Sequence, residues 1–173
     1  MSPTCDHLVL VGLMGVGKTT VGTRLSEILG WRLVDSDAEV EARTGRTVRE
    51  IFDHDGERAF RLLETEALRD ALDAPGPTIV AAAGGVVLAE ENRRLLERPN
   101  VEVVWLRADP ATLVSRAMTG DHRPLLAHDP AGVLAQMAVD REPLYRAVAD
   151  VVVDVEGKSP GHVADEVLKV TRP

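Results

Sequence analysis

The segment Gly12–Thr19 (GLMGVGKT) constrains this chain more than any other part of the sequence. It has the spacing G-x-x-x-x-G-K-[ST] of a phosphate-binding loop, which joins a β-strand to a helix. Its glycines let backbone N–H groups converge on phosphate oxygens where a Cβ would block the approach. The segment therefore predicts a strand that ends at Val11, a helix that begins near Lys18, and a bound nucleoside triphosphate.

Each position of this loop has a predicted contact with the nucleotide or its metal. Lys18 can reach β- and γ-phosphate oxygens, and the Thr19 hydroxyl can ligate Mg²⁺. A glycine-rich turn without a ligand is the alternative, but the strand-like run before it and the helical pattern after it favour a phosphate site. The predicted nucleotide-binding residues here are Gly12, Met14, Gly15, Val16, Gly17, Lys18, Thr19 and Thr20.

Short apolar runs rich in β-branched residues alternate with longer amphipathic segments along the whole chain. This alternation indicates βαβ units, and hence an α/β fold in which helices cover both faces of a mostly parallel sheet. The predicted strands are His7–Val11, Arg32–Val34, Thr78–Ala82, Val101–Leu106 and Val151–Val155. The predicted helices are Thr19–Leu29, Thr47–Leu72, Glu90–Glu97, Pro110–Met118, Ala131–Ala149 and Gly161–Val170.

Length and charge narrow the class of protein further. The 173 residues suit a single domain spanning 1–173, and we find no internal repeat or linker that would divide it. A net charge of −8 disfavours a protein that coats nucleic acid or an anionic membrane, although a local pocket for a small anion remains possible. We see no signal peptide or membrane span and therefore expect a cytoplasmic protein, which we also expect to be a monomer.

Two carboxylates follow the second predicted strand. Asp35 and Asp37 stand two residues apart at its carboxyl end, where α/β sheets bind their ligands. One could hold the metal through water while the other faces a substrate hydroxyl; capping of a helix by Asp37 is the structural alternative. The acidic runs Asp37–Glu41 and Glu64–Glu66 are otherwise interpreted as solvated helix faces.

Arginine supplies nearly all of the positive charge, with 17 Arg against three Lys. Arg61 lies in a predicted helix, Arg116 precedes the stretch Thr119–Pro130, Arg123 lies within that stretch, and Arg141 precedes Pro-Leu-Tyr. The stretch 119–130 lacks periodicity and is either a lid or an ordinary surface loop. Guanidinium groups bind phosphate and carboxylate with two parallel hydrogen bonds, so these four are candidate anion ligands.

The order and spacing of these motifs resemble one family. The segments GLMGVGKTTVG, VDSD, FR, RPLL and R-x-PLY, together with Gly84-Gly85, are similar to those of shikimate kinases over almost the whole chain. The resemblance implies a three-layer P-loop fold whose five parallel strands have the order 2-3-1-4-5. It implies ATP-dependent phosphorylation of the shikimate 3-hydroxyl, with Mg²⁺ as cofactor, in aromatic amino acid biosynthesis.

The resemblance also assigns roles to individual residues. Asp37 would bind shikimate and receive the proton of its 3-hydroxyl, with Asp35 and Thr19 beside Mg²⁺. Arg61 and Arg141 would bind the substrate carboxylate next to Gly84 and Gly85. The catalytic residues would be Asp37, Lys18 and the lid residue Arg123; Arg116 would pack on adenine, which the loop Asp154–Pro160 would cover. The substrate-binding helices would span about 37–72, and the lid about 119–130.

One departure from the family pattern lies in the substrate-binding loop. Ala83 stands where the first of three consecutive glycines is usual, and we expect its methyl group to be tolerated. Two other functions stay open at this point: phosphorylation of another small hydroxy acid such as gluconate, and nucleotide binding without catalysis. A regulatory GTPase is disfavoured because the sequence contains no N-K-x-D segment.

Overall fold

The computed structural model describes residues 5–118 and 128–171, with the backbone alone for residues 117 and 118. In this part of the chain, five strands alternate with helices. The strands are β1 (His7–Val11), β2 (Arg32–Asp35), β3 (Thr78–Ala81), β4 (Val101–Arg107) and β5 (Val151–Asp154). The helices are α1 (Lys18–Leu29), α2 (Ser36–Thr44), α3 (Val48–Asp73), α4 (Glu90–Leu96), α5 (Pro110–Met118), α6 (Pro130–Val148) and α7 (Pro160–Val170), with a short 3₁₀ helix at Val86–Leu88.

The strands form one parallel sheet in the order β2-β3-β1-β4-β5. Every residue of β1 and β3 is buried. Because neighbouring residues of a strand point to opposite faces, both faces of the sheet centre must be covered. The predicted α/β fold and its strand order are thus confirmed.

Aliphatic side chains build most of the main core. Leu8, Leu10, Ile79 and Val104 are fully buried in the central strands, and the buried ring of Trp105 packs on the Tyr145 ring of α6. Helix α1 packs against α7, and α5 packs against α6. This core fixes the carboxyl ends of the strands, and thereby the loops that leave them.

Helices α2 and α3 carry a second, smaller core beside the sheet, formed by Val40, Ile51, Phe60 and Ala67. A capping box between Thr47 and Glu50 begins α3: each side chain accepts a hydrogen bond from the other's backbone N–H. These helices cover most of the segment 37–72 that we assigned to substrate binding.

The predicted elements agree with the structure to within one residue at each end. Two elements had no predicted counterpart: helix α2 and the 3₁₀ helix at Val86–Leu88. The sequence prediction also treated α3 as continuous, whereas Gly56 breaks it with φ 84° and ψ 170°. None of the helices within the described ranges is both long and apolar enough to cross a bilayer.

Candidate active site

A cleft of about 690 Å³ opens at the carboxyl ends of β1, β2 and β3. Thirteen of the sixteen predicted site residues line it, although they come from separate parts of the chain. They are Met14, Gly15, Gly17, Lys18, Thr19, Thr20, Asp35, Asp37, Arg61, Gly84, Gly85, Arg116 and Arg141. Fold topology therefore brings the phosphate loop, the Asp pair and three arginines into one space.

The first residue of the phosphate loop, Gly12, lies against strand β4. Gly12 has φ 143°, and a Cβ built there would lie 2.4 Å from the carbonyl oxygen of Leu106 on β4, so a side chain cannot be accommodated. Lys18 Nζ donates to the carbonyl oxygens of Gly12 (2.7 Å) and Leu13 (3.0 Å), across the loop. The first turn of α1 contains no acidic residue, which suits a site for an anion.

Two of the predicted nucleotide-binding residues, Gly12 and Val16, lie outside the cleft lining. Val16 is buried, and its N–H donates to the carbonyl oxygen of Leu13 at 3.3 Å. Arg123 and most of the segment 119–130 fall outside the described residues. Arg116 is exposed in the last turn of α5 and reaches the wall of the cleft.

Thr19 and Asp35 meet at the end of β2. The Thr19 hydroxyl donates to Asp35 Oδ2 at 2.5 Å, while Asp35 Oδ1 accepts from the N–H groups of Asp37 and Ala38, each at 3.1 Å. Asp35 is therefore the N-cap of α2, which corrects the alternative that Asp37 caps this helix. A hydroxyl and a carboxylate oxygen at this point form a hard-oxygen pair suited to Mg²⁺.

Asp37 occupies the first turn of α2, open to the solvent of the cleft but closely surrounded by its walls. This crowding raises the pKa of Asp37 above its ordinary value, and the charge of Asp35 adds to the effect. Lys18 and Arg61 act in the opposite direction on the same pKa. The carboxylate thus faces both a cation and a second carboxylate.

Arg61 is held on α3 by two carboxylates. Its guanidinium pairs with Glu57 at 3.0 Å and with Glu64 at 3.1 Å. Burial alone would lower the pKa of Arg61, but the two glutamates outweigh it, so this pKa is raised. The guanidinium stays protonated, in a position fixed on two sides.

Glu64 corrects our interpretation of Glu64–Glu66 as a solvated face. Its side chain is only 1% exposed, whereas Glu66 is exposed as predicted. Burial raises the pKa of Glu64, and the Arg61 charge opposes that shift. The missed signal was positional: residue 64 falls within the apolar stripe that includes Phe60 and Leu68, three residues after Arg61.

The turn that follows β3 forms a wall beside the phosphate loop, where a Cβ on Gly84 would lie 3.4 Å from the Gly12 carbonyl oxygen and 3.5 Å from Met14 N. Gly84 and Gly85 lie in this turn and line the cleft. Among the backbone hydrogen bonds of turns and loops in the described residues, none is donated by the N–H groups of these two glycines. Ala83 does not have the positive φ that would strain a side chain there. Backbone strain therefore gives no reason for Ala83 to disturb this turn, as we expected.

Arg141 of α6 completes this wall. It is 5% exposed, and a Cβ on Gly84 would lie 3.4 Å from its Nη1 atom. Unlike Arg61, it forms no ion pair with a carboxylate among residues 5–118 and 128–171. Two guanidinium groups therefore approach the glycine turn, one paired with carboxylates and one without a carboxylate partner among these residues.

The rim of the cleft contains residues that the sequence analysis did not select: Glu41, Thr47, Val48, Arg49 and Phe52. The rings of Phe52 and Phe60 pack against each other with centroids 4.9 Å apart. Their amphipathic helix predicted burial, but nothing in the local pattern distinguishes a cleft wall from a core. Only the packing of α2 and α3 identifies them as wall.

Comparison with known proteins gives a consistent result. The family model for shikimate kinase matches residues 14–172. A shikimate kinase of Rhodococcus erythropolis is 42% identical over 161 residues, covering 92% of this chain and 94% of its own. Another, of Moorella thermoacetica, is 43% identical over 166 residues, covering 96% of this chain and 94% of its own.

Solved structures agree. The chain is similar to a shikimate kinase from Acinetobacter baumannii in complex with shikimate, with a TM-score of 0.91 and 34% identity over 96% of this chain and 93% of that one. A gluconokinase from Sinorhizobium meliloti shares the fold with a TM-score of 0.61, at 19% identity over 96% of this chain and 91% of that one.

Proposed function

The chain belongs to the shikimate kinase family and transfers a phosphoryl group to a shikimate hydroxyl, and we propose which residues of the cleft bind ATP, bind shikimate and catalyse the transfer. The observation that carries the proposal is the approach of Arg61 and Arg141 to the Gly84–Gly85 turn, in the same cleft as the phosphate loop. One end suits a carboxylate and the other a chain of phosphates.

ATP binds at the phosphate-loop end. The backbone of Gly12–Thr20 and the start of α1 surround the phosphates, and Lys18 neutralises the charge of the β- and γ-phosphates. Arg116 packs on the adenine ring, and Arg123 closes over the transferred group from the lid. The absence of acidic residues from the first turn of α1 supports this assignment.

Shikimate binds at the other end. Arg61 and Arg141 hold its carboxylate, and the N–H groups of Gly84 and Gly85 donate to the same ligand. The near-complete burial of Arg141 supports this role, because a buried guanidinium gains most from an anionic partner. The carboxylate fixes the ring orientation and directs one hydroxyl toward the phosphates.

Asp37 orients that hydroxyl, which we take to be the 3-hydroxyl, and accepts its proton. The position of Asp37 between the phosphate loop and Arg61 supports this role. Phosphoryl transfer has a loose, charge-rich transition state, so positioning and electrostatic stabilisation carry the catalysis. Lys18 and Arg123 supply positive charge, and lid closure excludes water.

Thr19 and Asp35 would hold Mg²⁺, Asp35 through water. When bound, it neutralises phosphate charge as a Lewis acid. The donor set fits this ion, because Mg²⁺ keeps several waters and needs only one or two protein oxygens besides the phosphates. Residues 5–118 and 128–171 contain no cluster of three His, Cys, Asp or Glu that could form a complete protein cage, and this ion requires none.

An ADP-release assay tests the assignment. Release of ADP should depend on shikimate, and gluconate at the same concentration should give no more than the rate without acceptor. Release that follows gluconate, or ATP binding without acceptor-dependent turnover, would contradict it. Light scattering tests our expectation of a monomer, and the cytoplasmic location stays a prediction.

A further inference from the structure

Tyr145, the single tyrosine of the chain, is fully buried, and its hydroxyl contacts the turn that we assign to substrate binding. Its ring stacks on Trp105 with centroids 5.7 Å apart, and its hydroxyl donates to the Gly84 carbonyl oxygen at 2.5 Å. Burial raises the pKa of Tyr145 to about 12. The hydroxyl therefore remains a hydrogen-bond donor throughout the physiological pH range.

The peptide that Tyr145 holds is the one between Gly84 and Gly85. In a trans peptide, the carbonyl of one residue and the N–H of the next point in opposite directions, and the described residues contain no cis peptide. A Gly84 carbonyl bound to Tyr145 in the core therefore turns the Gly85 N–H away from the core, toward the cleft that Gly85 lines.

This peptide needs an external constraint. Glycine on both sides removes the Cβ contacts that ordinarily resist rotation of a peptide plane. The flanking carbonyls are also held: the Val86 N–H donates to the Ala83 oxygen and the Leu88 N–H to the Gly85 oxygen, each at 3.0 Å. Tyr145 supplies the corresponding bond at the glycine pair itself.

Tyr145 also connects the turn to Arg141. The two residues lie four apart on α6, and therefore on the same face of the helix. The Arg141 guanidinium is close enough to lower the pKa of Tyr145 against the effect of burial, and it approaches Gly84 as well. One helix turn thus sets both a guanidinium and an amide of the substrate site.

We propose that Tyr145 is a positioning residue that fixes the Gly84–Gly85 peptide with its N–H directed at the substrate, in register with Arg141. It acts through the turn and makes no contact with the reacting atoms. This inference rests on the proposed role of the turn in binding shikimate. It assigns to Tyr145 a function that its packing on Trp105 alone would not require.

Steady-state kinetics of Tyr145→Phe test the proposal, since this change keeps the ring and removes only the hydroxyl. We expect the KM for shikimate to rise about tenfold, while kcat and the KM for ATP change by less than about twofold. Trp105→Phe is the matched control, because it alters the packing of the same ring and leaves the hydroxyl. It should lower the melting temperature and leave the KM for shikimate within about twofold.

An unchanged KM for shikimate in Tyr145→Phe would overturn the proposal, as would equal increases in both variants. If Gly85→Ala, whose methyl group also displaces Arg61, weakens shikimate binding and Tyr145→Phe does not, the end of the cleft formed by Arg61 and the turn keeps its proposed role and only that of Tyr145 fails. If neither does, the role of the turn fails too.

Residual dipolar couplings of the Gly85 N–H in the wild-type protein give a second test, independent of any variant. We expect the same orientation of this N–H with and without shikimate. A reorientation of the peptide on binding would contradict the proposal.

Discussion

The guanidinium of Arg61 occupies the space into which a side chain at position 85 would project. A Cβ built on Gly85 would lie 2.2 Å from Arg61 Nη1 and 2.3 Å from Cζ. The backbone of Gly85 itself is ordinary, with φ −91° and ψ 4°, so conformation does not demand glycine here. Glycine at this position leaves the space that the guanidinium of a residue 24 positions earlier in the chain fills.

Gly85→Ala should therefore displace Arg61 and weaken binding of the substrate carboxylate. A methyl group at that site forces the guanidinium away from Glu64 and out of line with Arg141. We expect the KM for shikimate to rise by about tenfold or more, with the KM for ATP within about twofold of wild type. Steady-state kinetics with each substrate varied in turn provide the measurement.

Two other glycines provide graded controls for this change. At Gly84 the nearest atoms would lie 3.4 Å from a new Cβ, and at Gly161 nothing would lie closer than 4.0 Å. Gly84→Ala should give a smaller increase in the KM for shikimate, and Gly161→Ala none. The same increase in all three variants would show that Arg61 is not the cause.

Glu64→Gln should destabilise the protein, because it leaves the half-buried Arg61 with one charged partner instead of two. Hydrogen bonds to charged groups contribute roughly 1.5–3 kcal/mol, and Gln retains part of the contact, so we expect a loss of about 1–2 kcal/mol. Urea unfolding of the variant measures this free energy.

Glu66→Gln, two residues away on the exposed face of α3, is the matched control and should change the free energy of unfolding by less than about 0.5 kcal/mol. Equal losses of unfolding free energy in the two variants would show that the ion pair of Glu64 with Arg61 does not stabilise the protein.

The strands were predictable because β-branched runs are local signals, whereas their order in the sheet came from the resemblance to a family. Every residue of β1 is buried, and its pattern alone marks it as a central strand. The break of α3 at Gly56 was not predictable, because glycine within a helical pattern signals either a weak helix or a kink. Only the packing of α3 against α2 and the sheet decides between them.

The residues of the candidate site also differ in how far the sequence could predict them. Lys18 and Thr19 follow from a contiguous motif, whereas Arg61 and Arg141 came from the resemblance to a family rather than from their local sequence. Glu64 was missed although its place in the apolar stripe and its i,i+3 spacing from Arg61 were visible, whereas Tyr145 was missed because its role depends on a contact made across the fold, to Gly84. Such contacts are not visible in the spacing of residues along the chain.

Asp35 caps α2, and substitution can separate this role from the metal-binding role that we propose for it. Asn retains an oxygen that caps α2, whereas Ala does not, and loss of an N-cap costs about 1 kcal/mol. Asp35→Asn should keep near wild-type stability but require a higher Mg²⁺ concentration for half-maximal rate, because a carboxylate beside the ion becomes neutral. Asp35→Ala should show both defects. Thermal unfolding and Mg²⁺ titration of the rate measure them; an unchanged Mg²⁺ requirement in both variants would exclude Asp35 from the metal site.

His7 should make the stability of the protein depend on pH, independently of the active site. It begins β1, is 3% exposed, and its Nδ1 has no hydrogen-bond partner among the described residues. Burial lowers the pKa of His7 in the folded state, so below pH ~6.5 the unfolded chain binds a proton that the folded chain resists. The free energy of unfolding should therefore fall as pH decreases through this range, by at most about 1.4 kcal/mol per pH unit from this group.

Urea unfolding of wild type and His7→Leu between pH 8 and pH 5 isolates the effect of His7 on the free energy of unfolding, because other titrating groups are common to both proteins. A difference between the two proteins that stays constant across this range would show that His7 does not titrate in this way.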